Sequence, residues 1–291
     1  MDSLVKDLPV GKEEEWTLEI KPKAGLLELH LDEVWRYRDL LWMFVKRDFV
    51  ATFKQTILGP LWFVIQPILT TAMFMLVFTK VARIPTDGVP PAVFYLSGLS
   101  IWNYFAACLT RTASTFTNNA HIFGKVYFPR LVVPLSTVIS CLINFGIQLS
   151  LLIAVMIYYA IQGQAVQPNT YIVLIPVLLV IIAMLGLGLG IIVSSLTTKY
   201  RDLSLLLSFG VQLAMYATPI IYPLSYLSTK YQTLVALNPV APLVESFRYA
   251  LTGSGTFNSG HLLYSIVFTT IVLLVGIVVF NRVEKNFMDV V

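Results

Sequence analysis

Charge is what this chain has least of. Only 12% of its 291 residues are Asp, Glu, Lys or Arg, about half of what a water-soluble domain carries, and from Leu131 to Thr198 there are none. With 57% hydrophobic residues and a mean hydropathy of +0.76, that scarcity excludes an ordinary soluble domain. Cysteine is nearly as rare. Cys108 and Cys141 both sit inside apolar runs, which argues against a disulfide scaffold or a thiolate metal site and fits small buried hydrophobes. The sequence has no GxxxxGK[ST], no GxGxxG followed by an acidic residue, no HExxH and no EF-hand loop, so nothing in it cradles ATP or holds a catalytic metal by a known pattern. His30, His121 and His261 are far apart and read as solvated or interfacial. Ionisable residues inside the apolar runs are almost missing too, which removes the usual basis for a proton-coupled carrier. Arg111, at the end of one run, is the exception, and its side chain can snorkel to the surface.

What is present is a series of charge-free runs long enough to cross about 30 Å of hydrocarbon as helix. Their continuity is unlike the alternating strands of a membrane β-barrel. The expected fold class is therefore an all-α integral membrane protein with six transmembrane helices, at about 58–79, 92–110, 131–159, 171–195, 203–217 and 262–280. Between the last two, four prolines (Pro219, Pro223, Pro239 and Pro242) break an apolar stretch into expected short re-entrant helices. A seventh full crossing there is the alternative. GLGLG (Gly186 to Gly190) lies mid-span, where close helix packing explains it better than phosphate binding.

Lys and Arg fix the expected orientation. With the N-terminus inside, only Lys80, Arg83, Lys230 and Arg248 lie outside, so both termini are expected to be cytoplasmic. The domain division is a cytoplasmic extension over 1–30, an interface helix over 31–55 and the membrane domain over 56–291. Met1 to Lys23 has no apolar core, unlike a signal peptide. On a helical wheel Leu31, Trp35, Trp42, Val45, Phe49 and Phe53 share one face, the pattern of a helix lying in the headgroup plane. Its cations Arg36, Arg38, Arg47 and Lys54, with Arg111, suit lipid phosphate or anionic headgroups.

Neutral polarity recurs at helical spacing: Ser136, Ser140, Asn144 and Gln148 in the third run, Ser204, Ser208, Gln212 and Tyr216 in the fifth. Positions four apart stay near one helix face, so each stripe either bonds neighbouring helices or lines a wet passage. Aromatics including Tyr222, Tyr226, Phe247 and Tyr249 crowd the expected outer side, as an interfacial belt or as rings that a sugar chain could stack upon. The compact half-polar stretch NNAHIFGKVYFPRLVVP (118 to 134) stands out between the apolar runs. Its Asn118, Asn119, His121, Lys125 and Arg130 offer polarity, and Ile122, Phe123, Tyr127 and Phe128 offer anchors of the kind protein contacts use.

Taken in order, YRDLLWMFVKRDFVATFKQTILGPLWFVIQP, NNAHIFGKVYFPRLVVP, KYRD, NPVAPLVESFRYAL and FNRVEKNFMDVV resemble the permease subunit of type-2 ABC exporters, in the Wzm-like branch that exports lipid-linked polysaccharide such as O antigen, capsule or teichoic acid. The resemblance implies a homodimeric permease in the bacterial inner membrane and two copies of a separate ABC ATPase. ATP and magnesium would be bound by that partner, with no cofactor, metal or catalytic residue in this chain. It also implies membrane lipids and an undecaprenyl-linked glycan as contacts, no nucleic acid, and a coupling helix at Asn118 to Arg130 seated in a groove of the ATPase. The alternatives are a type-2 exporter of lipid or drug, or a membrane-embedded glycosyl or lipid transferase.

Overall fold

The computed structural model describes residues 31–286 apart from 55–56, 124–127, 165, 198–199 and 201. The expectations for 1–30, Lys125, Tyr127, Lys199, Arg201 and the final FMDVV lie outside the described residues. Among those described, the regular elements are all helical. They are α1 (Leu31–Arg36), α2 (Arg38–Phe53), α3 (Trp62–Phe74, prolonged as π-helix over Met75–Val81), α4 (Pro91–Ala113), α5 (Thr115–Phe123), α6 (Val132–Ile161), α7 (Ile175–Thr197), α8 (Leu203–Tyr216), α9 (Thr229–Ala236), α10 (Val240–Thr252) and α11 (Ser259–Asn286).

Five of these units are long and apolar enough to cross a membrane: Trp62–Val81, Pro91–Ala113, Val132–Ile161, Thr170–Thr197 and Ser259–Val283. The chain is thus a multi-pass membrane protein. The sixth expected span, α8, has 14 residues. At 1.5 Å per residue that is about 21 Å, short of the hydrocarbon thickness on its own. The proline-broken segment forms α9 and α10, of 8 and 13 residues, so neither makes a seventh crossing.

The core is built on α4 and α7, which pack along their lengths, with α6 and α11 closing the other sides. Glycine makes this possible. A Cβ on Gly186 would stand 2.7 Å from Cys108 Cβ, and one on Gly190 2.6 Å from Thr112 Cβ, so the expected close packing of GLGLG is against α4. Gly188 faces the other way, where an added Cβ would be 3.0 Å from Leu273 Cα of α11. α8 by contrast has no buried residue; Leu207, Val211, Ala214 and Met215 rest on the core, beside an apolar gap of about 490 Å³ lined by residues such as Trp102, Phe105, Leu207 and Phe268.

The interface helix differs from its expected form. It breaks at Tyr37 into α1 and α2, and α2 lies against α6. Val34, Phe44 and Val45 are buried, while Trp35, Trp42 and Phe49 are exposed. Of the face read from the wheel, Val45 is the one shown to turn inward. A helix this rich in apolar residues has two greasy sides, and the wheel alone does not say which one a neighbouring helix takes.

Candidate functional site

Two polar constructions occupy opposite ends of α4. At its C-terminal end the chain turns at Ser114, whose Oγ bonds the carbonyls of Thr110 and Arg111, and continues as α5. The first turn of α5 is fixed to α7 by the Phe116 N–H donating to Ser194 Oγ at 3.3 Å. Its far end is fixed by rings. Phe116 stacks on Phe280 of α11 at 5.0 Å and meets Phe123 at 5.9 Å; Phe123 meets Phe128 at 5.8 Å, and Phe128 meets Phe44 of α2 at 5.9 Å. Arg130 lies over Phe123 at 5.8 Å.

This arrangement corrects one expectation. Phe123 and Phe128 are each only 5% exposed, so they are not anchors offered to another protein but pins that hold α5 to α2 and α11. Large rings beside a membrane domain lower their free energy by burial in the chain's own core when a pocket is within reach. What α5 presents outward is Thr117 and Asn118, both exposed, with Ile122 half-buried. Asn119 is buried and donates to the Thr115 carbonyl at 3.0 Å. His121 lies on α5, and its side chain is outside the described set.

Beside α5 is a cavity of about 370 Å³ lined by Arg47, Asp48, Arg111, Ser114, Thr115, Asn118, Asn119 and Thr137. Four elements meet there: α2, the end of α4, α5 and the start of α6. Arg47 is held by Asp48, with Nη2 to Oδ1 at 2.8 Å, and lies over the Phe44 ring at 4.6 Å. The Arg111 guanidinium is half-buried and has no hydrogen bond or ion pair with a described residue. Thr115 Oγ1 is buried without a partner. The cavity therefore pairs two guanidiniums with hydroxyls and amides around space they do not fill, chemistry that suits an anionic oxygen-rich group. Of the five cations read together from sequence, Arg47 and Arg111 meet here; Arg36, Arg38 and Lys54 lie along α1 and α2 outside the lining.

The two polar stripes separate. In α6, Ser136, Ser140 and Gln148 are buried. Ser136 and Ser140 bond back to carbonyls of their own helix, and Gln148 accepts from Asn103 of α4 at 3.3 Å; Asn144 is half-buried. Gln148 is the member of this stripe shown to reach another helix, and the two serines close on their own. In α8, Ser204, Ser208, Gln212 and Tyr216 are all exposed, a polar line on the outside of an apolar helix.

At the other end of α4, α10 is inserted into the bundle. Arg248 is wholly enclosed: Nη1 donates to Glu245 Oε1 at 2.7 Å, Nη2 donates to the Pro219 carbonyl at 2.8 Å, and the guanidinium lies 3.8 Å from the centre of the Phe94 ring. Gly98 leaves it room, since a Cβ there would be 2.9 Å from Nη2. This buried pair was not recognised in the sequence, although Glu and Arg three apart inside the apolar VAPLVESFRYAL are its signal. Phe247 is buried against Phe145 at 6.1 Å and so is not a ring on which a glycan could stack. Tyr249 joins Tyr171 and Phe257 in a cluster with centroids 4.8 to 5.6 Å apart. Tyr222 is half-buried and Tyr226 exposed. Among the described residues no three His, Cys, Asp or Glu side chains gather as metal ligands.

Comparison with known proteins places this architecture. A family model described as ABC-2 type transporter matches residues 39–252. The chain is 29% identical over 254 residues to an O-antigen export system permease protein RfbA of Klebsiella pneumoniae, covering 87% of this chain and 95% of that one. It is 32% identical over 219 residues to the protein of the same name from Myxococcus xanthus, covering 74% and 81%. With the polysialic acid transport protein KpsM of Escherichia coli it shares 22% over 240 residues, covering 82% and 91%.

Proposed function

Since the chain belongs to the ABC-2 type transporter family, we propose that it is the permease subunit of an exporter that moves lipid-linked polysaccharide across the bacterial inner membrane. The observation that carries this reading is the junction at α5. One short helix is pinned by rings to α2 and α11, bonded to α7, and forms a wall of a cation-lined cavity. The ATPase is a separate subunit that grips the exposed side of α5, Thr117 and Asn118, from the cytoplasm. Because α5 is fixed to three other helices, a push on it displaces them as a body rather than bending a loop.

In the same reading the cavity beside α5 receives the phosphate of the lipid carrier. Arg111 supplies the unpaired charge there, and Arg47, tethered by Asp48, the oriented one. The permease is a homodimer, supported by the exposed polar stripe of α8. Facing lipid raises the free energy of hydroxyls and an amide at membrane depth. A second copy across a wet, uncharged passage takes the stripe out of lipid, and a neutral glycan can bond the Gln212 amide there. Both termini are cytoplasmic, as the Lys and Arg distribution expects, with α8 and the chain that continues it to Pro219, beside Arg248 at the far end of α4, completing the sixth crossing.

The test is a strain from which this chain's gene is deleted. Polysaccharide should vanish from the cell surface while its lipid-linked form accumulates inside, and an Arg111→Gln copy should restore export poorly. Unchanged surface polysaccharide in the deletion would refute the reading.

A further inference from the structure

The end of the bundle that holds α10 contains a second polar cavity, of about 230 Å³, between α9, α10 and the chain leading into α11. From its lining and volume we infer that it is a binding site for one neutral sugar ring. This deepens the export reading and rests on it for where the sugar comes from, but the binding chemistry stands on the cavity alone.

Polar side chains reach the cavity from α9, from α10 and from the chain leading into α11. Glu245 on α10 lines it, 3% exposed, its charge offset by Arg248 at 2.7 Å and its carboxylate also accepting the Thr256 backbone N–H. With its charge matched, the carboxylate can accept from a hydroxyl without drawing a cation. Next to it Ser246, 4% exposed, lines the same space, and its hydroxyl makes no hydrogen bond in the structure. That oxygen is not among the enclosed atoms lacking a partner, so it opens onto the cavity and is free to bond whatever enters it. Gln232 on α9 is oriented by its Nε2 donating to the Leu227 carbonyl at 2.8 Å, which leaves its oxygen for the interior. Asn258 uses its oxygen on the Gly260 and His261 N–H groups, leaving its amide nitrogen, and the His261 ring adds a further polar edge.

Donors and acceptors thus alternate around an interior whose remaining walls, Pro242, Ala236 and Phe257 among them, are apolar. That is the pattern of a ring with hydroxyls at its rim and C–H groups on its faces. Pockets for drug-sized ligands run to roughly 300–1,000 Å³; this one is smaller and holds a single ring-sized unit. A charged sugar is disfavoured, because a carboxylate brought against Glu245 would meet a like charge.

The test uses the full chain in lipid nanodiscs and a panel of methyl α-pyranosides, four neutral (gluco, galacto, manno and rhamno) and one glucuronide. Saturation-transfer NMR reads the binding. At least one neutral pyranoside should bind in the millimolar range and the glucuronide not at all. Gln232→Ala and His261→Ala should each weaken binding about fivefold, as expected for loss of one hydrogen bond. Ser246→Val, which places methyls where the hydroxyl was, should weaken it at least as much, and Thr233→Ala, exposed on α9 and outside the lining, should leave it unchanged. Each variant is checked for wild-type melting, and any one that binds and melts normally decides for its position.

No transfer to any neutral pyranoside, as for a cavity holding water only, would overturn the site. So would preferential binding of the glucuronide, or equal binding by Ser246→Val, Gln232→Ala and His261→Ala. The two readings fail separately: loss of surface polysaccharide in the deletion strain without pyranoside binding removes only the site, and pyranoside binding with normal surface polysaccharide removes only the export role.

Discussion

Replacing Gly190 by alanine should open the seam that holds the bundle together. The new Cβ would lie 2.6 Å from Thr112 Cβ, 2.9 Å from its Cγ2 and 3.0 Å from the Leu109 carbonyl oxygen. Carbon atoms at rest stand about 3.5 to 4.0 Å apart, so α4 and α7 must separate by about 1 Å. Thr112 cannot swing away cheaply, being wholly buried and β-branched. A radial gap of that size forfeits a quarter to a half of each contact along the seam, and overpacking of this kind costs about 1–3 kcal/mol. Helix propensity works in the opposite sense by up to about 1 kcal/mol, and Gly146→Ala measures it, since nothing lies within 4 Å of a Cβ at that site. Unfolding of purified protein in mixed micelles should therefore rank Gly190→Ala about 1–3 kcal/mol below Gly146→Ala. Gly186→Ala should fall similarly, and the pair together by less than the sum, because both ask for the same helix displacement. Equal stability of the position-190 and position-146 variants would refute the idea that glycine sets this spacing.

Other outcomes follow from the same geometry. Arg248→Met leaves Glu245 buried and alone and should cost about 3–5 kcal/mol, while Glu245→Gln with Arg248→Met should recover most of the loss; a double-mutant unfolding cycle with no coupling would contradict the buried pair. Phe123→Ala removes a ring that touches Phe116, Phe128 and Arg130. Hydrogen exchange should then rise over 115–123 while α4 and α7 keep their protection, and export should fall; unchanged exchange would mean the ring is no pin. Gln212→Leu and Ser208→Leu on the exposed stripe should leave melting within about 0.5 kcal/mol of wild type but reduce surface polysaccharide. Full export by both would remove the stripe from the passage.

Much of this was legible in the sequence, and the failures share one cause. The spans could be read because crossing hydrocarbon demands a long uncharged run whatever the neighbours are. GLGLG could be read because only a close approach explains glycine repeated at alternate positions mid-helix. Partners could not be read. Phe123 and Phe128 have the composition of an exposed anchor, and only the position of Phe44 and Phe280 makes them pins. Trp35 and Trp42 share a wheel face that α6 does not take. The stripes of α6 and α8 are alike in spacing, yet the first is largely buried and meets Asn103 of another helix, while the second lies exposed. Glu245 and Arg248 are three apart in plain view, but the cage of Phe94, Gly98 and Pro219 that justifies burying them comes from distant segments.

The claim on which the rest depends is that an ATPase subunit holds the exposed side of α5 from inside the cell, and one cross-linking measurement addresses it directly. Asn118→Cys adds the accessible thiol among the described residues, since Cys108 and Cys141 are buried. A short thiol-directed photoreagent attached there, in membranes containing both proteins, should yield an adduct of permease with ATPase whose amount changes with bound nucleotide. Labelling of that cysteine by a membrane-impermeant maleimide added outside intact spheroplasts, with no such adduct, would contradict the account.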